Sequence, residues 1–252
     1  MRRVWPILAA FVLVAGCYKE HDKRNAPTAK KLVAINFEES PLLNTKFGYD
    51  ATGKLITAEN AEVLNSIFYN GDSKAGYTIF NKPAGRNIAT GNFNLSNRKN
   101  ATHLEMDNIA LPGYGDTTFY DYEYSTDGYL VKLKTWKATG VISVYMEYAD
   151  GNMIKQISFN SSGEPVSYWI YTYSPAENKT GVNTDFTIYT NSLAGKMSKN
   201  LLVKAVQFDM AGTKQSEIQY SNVLDADGYL VKKTTSFLTK KTVLHSEYVY
   251  SM

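Results

Sequence analysis

The chain of 252 residues has one cysteine, Cys17, and three histidines. A lone cysteine cannot form a disulfide within the chain, which excludes the stapled folds of small secreted domains. His21, His103 and His245 stand far apart, and none has a metal-binding spacing such as H-E-x-x-H. The chain also lacks G-x-S-x-G, a phosphate-binding glycine loop and a dinucleotide fingerprint. These absences predict that the protein is not an enzyme and binds neither a metal nor a cofactor.

An apolar run from Val4 to Ala15 follows two arginines at the start of the chain. The run is too short to cross a bilayer of about 30 Å, and it has the pattern of a signal peptide. Because Ala15-Gly16 leads directly into Cys17, the segment resembles the lipobox of bacterial lipoproteins. We therefore expect residues 1–16 to be removed and Cys17 to carry acyl chains that anchor the protein in a membrane.

Residues 17–31 read CYKEHDKRNAPTAKK, which is polar and without apolar periodicity, so we expect a flexible solvated linker. Tyr18 is not the aspartate that resembles an inner-membrane retention signal, which favours the outer membrane. Lys19-Glu20 with Asp22 is similar to the export signal of Bacteroidetes surface lipoproteins. We expect a lipid-anchored outer-membrane protein whose domain lies on the periplasmic face or on the cell surface, the second being favoured.

The net charge gives no sign of a nucleic-acid partner. The precursor has 27 basic and 24 acidic residues, and loss of residues 1–16 removes two arginines and no acid, leaving 25 minus 24, or +1. A nearly neutral chain lacks the basic excess that binding to phosphate backbones requires. The remaining 236 residues, 252 minus 16, suffice for one large β domain or two small ones, and we expect one at residues 32–252.

Glycines recur at positions 128, 140, 151 and 163, with spacings of 12, 11 and 12 residues. The segments between them are rich in Tyr, Val, Ile, Thr and Trp, a pattern typical of short strands in an antiparallel meander. The hexapeptide DGYLVK occurs at 127–132 and again at 227–232. Its Asp-Gly pairs, and a third at Asp150-Gly151, predict tight hairpins with primed turns. We interpret the repeated hexapeptide as a folding device.

Successive side chains on a strand point to opposite faces, so sequence parity assigns faces. In FYDYEYS, the tyrosines at 120, 122 and 124 share one face, and the acids at 121 and 123 share the other. In the next strand, parity places Leu130 on the face of Lys132, opposite Leu133. The pattern predicts a sheet with a tyrosine-rich apolar face and a charged face on which lysines and glutamates pair.

Two segments are less regular. Ala58 to Leu64 has helical propensity, whereas Ile67 to Tyr69 favours a strand, so this part is predicted as one helix or as a strand pair. In the long interval from Ser174 to Asn200, we expect a strand at Phe186–Thr190 and a helical turn near Ser192–Ser198.

These elements predict an all-β domain, an antiparallel meander of about ten to fourteen strands that forms a closed or nearly closed water-soluble barrel. Closure removes exposed strand edges, which promote aggregation. The alternative is an open twisted or two-layer sheet. A bilayer-spanning barrel is disfavoured because we expect strands of about six to eight residues, and because the aromatic residues line strands instead of forming two girdles.

The pattern Tyr-x-Tyr-(Asp or Ser)-x-Asp-Gly-Tyr-Leu-Val-Lys occurs in full at residues 122–132. It resembles the repeats of an uncharacterised family of Bacteroidetes lipoproteins with a porin-like β fold. The segment GKMSKNL at 195–201 is similar to that family's other recurring element. The resemblance covers residues 32–252 and implies architecture and location only. The hairpin motif alone also fits the tyrosine-aspartate repeats of Rhs-type shell proteins, but those use many tandem copies.

Aromatic side chains are the remaining candidates for ligand binding. Trp169 shares a strand face with Tyr171 and Tyr173, so the three predict an aromatic stripe on which a sugar could stack. Trp136 is a further candidate for ligand stacking. The alternative for each of these residues is the interior of the β domain, where aromatic side chains contribute most of the buried area.

Acidic pairs are weaker candidates. Asp121 with Glu123, and Glu105 with Asp107, stand two residues apart on one strand face, but neighbouring lysines favour a solvated surface over a glycosidase pair. The segment DADG at 225–228 is similar to the start of a calcium loop, yet it runs directly into a strand, which favours a hairpin turn.

We therefore expect a non-catalytic module that binds a glycan, a hydrophobic ligand or a protein partner. The alternatives are a polysaccharide-acting enzyme and a purely structural envelope protein.

Overall fold

The computed structural model describes residues 30–97, 100–109, 117–137, 140–180, 193 and 195–251. These residues form sixteen β-strands and a turn of 3-10 helix at Pro41–Leu43, and Leu193 also has 3-10 conformation. The strands are β1 (Lys31–Phe37), β2 (Thr45–Tyr49), β3 (Leu55–Glu59), β4 (Val63–Asn70), β5 (Lys74–Asn81), β6 (Arg86–Leu95), β7 (Ala101–Asn108), β8 (Thr117–Tyr124), β9 (Leu130–Lys137), β10 (Gly140–Ala149), β11 (Asn152–Phe159), β12 (Pro165–Glu177), β13 (Asn200–Asp209), β14 (Lys214–Leu224), β15 (Leu230–Phe237) and β16 (Thr242–Ser251). Among the described residues, no helix has the length and apolarity needed to cross a bilayer.

Each strand pairs antiparallel with its sequence neighbours, and β1 closes the sheet by pairing with β16, where Ile35 lies opposite Tyr248. Closure pairs the backbone groups of both terminal strands. The prediction of an all-β closed barrel is confirmed, but the barrel has sixteen strands, more than the predicted ten to fourteen. Six of the strands have 10 to 13 residues, longer than the predicted six to eight. The segment whose sequence also allows a helix forms strands instead: Ala58 lies in β3, and β4 begins at Val63. Pairing with neighbouring strands outweighs its helical propensity.

Five turns share one pattern, an Asp, Asn or Ser followed three residues later by Gly. They begin at Asp50, Ser125, Asn160, Asp209 and Asp225. In each turn the glycine N–H donates to the carbonyl of the first residue, and the glycine has a φ between +80° and +89°. The side chain of the first residue accepts one or more N–H groups of the same turn. This is the type I turn followed by a left-handed residue, a position that favours glycine.

The Asp-Gly pairs therefore form two different kinds of turn. Only Asp150-Gly151 has both residues at positive φ, +51° and +82°, as a primed turn requires. In the two DGYLVK copies, the capping side chains belong to Ser125 and Asp225, two residues before the aspartate of the pair. The prediction of primed turns is wrong for the hexapeptide, because its loop is longer than two residues.

A β-bulge between β8 and β9 changes the face of Leu130. Glu123 lies opposite Lys132, whereas Tyr124 lies opposite Leu130, so one residue of β9 is skipped in the pairing. Leu130 therefore joins the tyrosine face and is 8% exposed, in contrast to the parity prediction that places it with Lys132. A bulge inserts one residue, and the alternation of faces reverses beyond it.

The tyrosine-rich face is the interior of the barrel, as the contacts of Tyr122 show. It packs with residues of β4 to β7 on one side and with Leu130 and Met146 on the other. Burial raises the pKa values of Tyr77 and Tyr148 to about 12, so both phenols stay neutral at physiological pH. A further interior cluster joins β1, β2 and β3 to β13, β15 and β16; its members include Leu32, Phe47, Leu55, Leu201, Leu230 and Tyr248. The predicted division into an apolar and a charged face is confirmed.

The described residues of the connection between β12 and β13 contact one end of the barrel. Lys179 Nζ donates to a carbonyl of the β14–β15 turn at 2.8 Å. The backbone N–H groups of Lys196 and Lys199 donate to carbonyls of the β8–β9 turn and the β10–β11 turn, both at 2.9 Å. We call the described residues 178–180, 193 and 195–199 the strap. Its contacts link three turns around one rim of the barrel.

Leu193 is the part of the strap that enters the interior. It is 1% exposed and packs in the cluster that holds Ile67, Tyr77 and Phe93. The hydroxyl of Tyr124 donates to the Ala101 carbonyl at 2.8 Å, and its oxygen lies 3.1 Å from the Leu193 carbonyl oxygen. The predicted strand at Phe186–Thr190 lies outside the described residues. Within the predicted helical turn near Ser192–Ser198, Leu193 has 3-10 helical conformation, and Lys196 forms an isolated β-bridge with Tyr129.

Candidate functional site

Three of the predicted ligand-stacking residues lie together on the interior face of β12. The rings of Trp169 and Tyr171 are stacked, with centroids 6.4 Å apart and planes 13° apart. The Tyr171 hydroxyl donates to Gln156 Oε1 at 3.3 Å, and the Tyr173 hydroxyl donates to the Met153 carbonyl at 2.9 Å. The three residues form the expected aromatic stripe, half-buried in the barrel wall.

Interior side chains along β11, β12 and β13 change from apolar to polar with distance from the strap. Nearest the strap, Tyr173 lies opposite Leu202. Farther along, Trp169 lies between Gln156 and Gln207. Beyond them, Ser158 faces Ser167, whose Oγ accepts the Gln207 amide at 3.4 Å. The interior end away from the strap thus presents amide and hydroxyl groups beside one indole ring.

Trp136, the fourth predicted stacking residue, lies on the outer face of the barrel. It is 37% exposed and sits opposite Phe119 of β8. Lys134 Nζ lies 4.6 Å from the centroid of the Trp136 ring. The structure therefore divides the four predicted residues between two surfaces, three inside the barrel and one outside.

A groove of about 570 Å³ lies on the outer face of β4 to β7. Its lining includes Phe68, Gly76, Asn92, Asn94, His103 and Glu105, and we call this surface the outer groove. Phe68 is 58% exposed and lies opposite Gly76, which has no side chain to cover the ring. The volume falls in the range of small-molecule sites, about 300 to 1,000 Å³.

Sequence reasoning misses most of the outer groove. Parity along β4 would place Phe68 outside the barrel, but that segment is ambiguous between helix and strand in the sequence. The register then brings the groove together: Gly76 lies opposite Asn92, and Asn92 lies opposite Glu105. These pairings join residues from four strands, which no local pattern reveals.

Each described histidine is bonded to a carboxylate. His103 Nδ1 lies 2.6 Å from Asp121 Oδ1 across β7 and β8. His245 is bonded to Glu39; this hydrogen bond raises the pKa of the imidazole, and the His245 backbone N–H lowers the pKa of the carboxyl. Glu38 joins this exposed group, whose ligand atoms lie within 4.8 Å of one another. The two histidines lie on β7 and β16, which are not neighbours, so the structure does not bring them together.

Asp225 and Asp227 hold a lysine at the strap end of the barrel. Lys30 Nζ lies 2.8 Å from Asp225 Oδ2 and 2.7 Å from Asp227 Oδ2. The hydrogen bond to Asp225 is the main cause that raises the pKa of Lys30 above its usual range. Because Asp225 also caps its own turn, the hairpin interpretation of DADG is confirmed.

Ion pairs between neighbouring strands cover much of the outer face. They are Lys132 with Glu123, Lys155 with Glu147, Lys204 with Glu217, and Lys232 with Glu247, at 2.7 to 3.8 Å. The expected pairing of lysines and glutamates on the charged face is therefore present.

Two solved structures resemble this barrel. A porin-like protein from Bacteroides uniformis matches with a TM-score of 0.64 at 14% identity, over 89% of this chain and 98% of that chain. A porin-like protein from Bacteroides vulgatus matches with a TM-score of 0.61 at 13% identity, over 88% of this chain and 99% of that chain. A scan against protein-family models and a search of the curated proteins give no match. At these identities the likeness establishes the fold: the chain forms a porin-like β-barrel.

Proposed function

We propose that this chain is a lipid-anchored, non-catalytic binding protein of the bacterial cell envelope, of the lipoprotein type that its hairpin motif resembles. The outer groove carries the proposal, because it is a concave surface on which an exposed aromatic ring lies beside several polar side chains. The porin-like fold of the two Bacteroides structures agrees with an envelope protein. Cys17, the proposed anchor, lies outside the described residues.

The charged outer face argues against a barrel embedded in lipid. A bilayer-spanning barrel needs an uncharged outer band about 25 Å tall. An eight-residue strand such as β9 is only about 27 Å long, so such a band would include Lys132 and Lys134. Charged side chains at these outward positions fit an aqueous surface.

The strap argues against conduction through the barrel. It contacts three turns at one end and buries Leu193 against the interior of β4 to β7. The described strap residues therefore occupy part of this end of the barrel. The outer groove and the polar interior end are therefore better candidates for function than a pore.

The ion pairs of Lys30 suggest which end of the barrel faces the membrane. Lys30 is held at the strap end by Asp225 and Asp227. Twelve residues lie between Cys17 and Lys30, so the chain from Cys17 to Lys30 reaches at most about 45 Å when extended. A lipidated Cys17 would therefore keep the strap end toward the bilayer.

The anchor is tested by Cys17→Ala in cells. We expect the wild-type chain in the membrane fraction and the variant in the soluble fraction, since the acyl chains would be lost. Wild-type and variant chains with the same membrane association would refute the anchor.

Binding is tested with the full-length protein in detergent. Native mass spectrometry against neutral oligosaccharides, acidic oligosaccharides and fatty acids, together with crosslinking in intact envelopes, covers the three proposed ligand classes. We expect one class to bind. If no small molecule binds and no specific crosslinked partner forms, the binding role fails, and a purely structural role replaces it.

Two carboxylates near the outer groove favour a polysaccharide-acting enzyme as a second candidate. Glu105 lies opposite Phe119, and Asp121 stands two residues farther along β8, so the acids are diagonal neighbours at about 7 to 8 Å. This spacing lies within the range of glycosidase pairs, about 5 to 10 Å. If the protein releases new reducing ends from a polysaccharide and Glu105→Gln does not, the enzyme is supported. If no substrate tested yields reducing ends, the binding role is supported.

A further inference from the structure

The outer groove contains polar side chains that have no partner within the protein. Among the described residues, no hydrogen bond or ion pair involves the side chains of Lys74, Asn92 or Glu105. Asn70 and Asn94 have no side-chain partner there either. Elsewhere on the outer face, acids such as Glu123 and Glu247 are paired with lysines. Five polar side chains without a partner among the described residues thus lie together in the outer groove.

The charges of the outer groove balance. One lysine and one glutamate accompany three asparagine amides and His103, which is already bonded to Asp121. Amides donate and accept at once, as sugar hydroxyls do. A charged ligand would meet both signs, whereas a neutral polyol can bond to every group. The exposed ring of Phe68 adds an apolar face that suits the C–H side of a sugar.

We propose that the outer groove binds a neutral oligosaccharide, with one sugar stacked on Phe68 and its hydroxyls bonded to Asn92, Asn94 and Glu105. The proposal rests on the proposed binding function and names its ligand class and site. A hydrophobic ligand would leave these polar groups buried without partners, which is costly. A peptide that adds a strand has no edge to join, because every strand of the closed barrel already has two neighbours.

The sheet register extends the outer groove toward Trp136. One residue from each of the strands β4 to β9 lies at the same level of the sheet, and each is opposite the next. In strand order they are Phe68, Gly76, Asn92, Glu105, Phe119 and Trp136. Five strand spacings of about 4.8 Å span about 24 Å along the surface. Aromatic rings thus lie at both ends of a polar strip, an arrangement that fits a chain of several sugars better than a single one. Trp136 then stacks a sugar, as its sequence predicts, but on the outer surface.

The test compares oligosaccharide binding by the full-length protein in detergent with that of two groove variants. The probes are cellohexaose, maltohexaose, mannohexaose and xylohexaose, with a hexamer of galacturonic acid as the charged comparator. Phe68→Ala removes the stacking face. Gly76→Val fills the floor: a Cβ there would have no neighbour closer than 3.9 Å, and a β-branched residue suits a strand. Val223→Ala is the control, an exposed outer-face residue on β14.

We expect at least one neutral hexasaccharide to bind and the galacturonic acid hexamer to bind much more weakly. Phe68→Ala and Gly76→Val should each weaken binding by about tenfold or more, and Val223→Ala should not. Gly76→Val should also keep the wild-type melting temperature or raise it, which separates a blocked groove from a misfolded chain. Trp136→Ala should weaken binding of hexasaccharides more than that of the matching disaccharides.

Two results would overturn the inference in different ways. A ligand that binds the wild type and all variants alike would place the site elsewhere, for example beside Trp169, and the proposed binding function would stand. Preference for the charged hexamer or for fatty acids would refute the ligand class. Absence of every ligand, small or macromolecular, would remove the proposed function together with the inference.

Discussion

Replacing Gly195 by alanine should release the strap from the end of the barrel. Gly195 has a φ of +83°, in the left-handed region that disfavours side chains. A Cβ at this position would lie 2.7 Å from the Gly128 carbonyl oxygen and 2.7 Å from Tyr124 Cε1. Gly212 offers a matched control, because its φ is also +83° and a Cβ there would meet nothing within 4 Å.

The two variants should differ by the contacts of the strap. Both lose about 1 to 2 kcal/mol because alanine is forced into the left-handed region. In Gly195→Ala, the clash also breaks the hydrogen bond from Lys196 to Gly128, at about 1 kcal/mol. Exposure of Leu193 costs about 2 kcal/mol more. We expect Gly195→Ala to be about 3 kcal/mol less stable than Gly212→Ala.

Urea denaturation measures this difference as a shift in midpoint at constant slope. Hydrogen exchange then locates it: the amides of Lys196 and Lys199 should lose protection in Gly195→Ala and keep it in Gly212→Ala. Equal losses of stability in the two variants, or unchanged protection of these amides, would refute the role of the strap as a packed closure of the barrel end.

Two further predictions test single side chains. Asn160→Ala should lower stability by about 1 kcal/mol in urea denaturation, because its amide oxygen accepts the N–H groups of Ser162 and Glu164; Ser162→Ala should have no effect, and equal losses would contradict the capping role. Hydrogen bonds, the strongest from Lys214, lower the pKa of Glu217 to about 2. A lowered pKa stabilises the folded state above the ordinary value near 4.5, and this contribution disappears as the pH falls toward 2. Wild type should therefore lose more stability than Glu217→Gln between pH 4.5 and 2 in thermal melts, and parallel curves would refute this.

The local features of the fold follow from short stretches of sequence. Alternation in β8 places Tyr122 and Tyr124 inside and Glu123 outside, because successive side chains on a strand face opposite ways. The turn that starts at Asn160 could also be predicted, since Asn at its first position and Gly163 at its fourth suit a type I turn with a left-handed residue. The same reasoning fails at Leu130, because the β-bulge inserts one residue and reverses the alternation of faces beyond it.

The candidate sites depended less on local sequence. Trp169 and Tyr171 share a face as their spacing predicts, but whether that face lies inside or outside follows only from closure of the sheet. Trp136 lies opposite Phe119 because of the register between β8 and β9. The distance between the two residues along the chain does not indicate this pairing. The sequence around Phe68 does not mark it as a site residue, because an exposed aromatic ring forms a site only together with residues of neighbouring strands.

The sequence by itself determined what depends on neighbours along the chain: the two faces of the strands, the turn glycines and the antiparallel meander. Only the tertiary structure decided what depends on residues far apart. Pairing of β1 with β16 set the strand number, burial of Leu193 against β4 to β7 placed the strap, and the register of four strands brought Phe68 close to Glu105. These contacts form because closing the barrel gives every strand two hydrogen-bonded neighbours at once. No single segment of the sequence shows that this will happen.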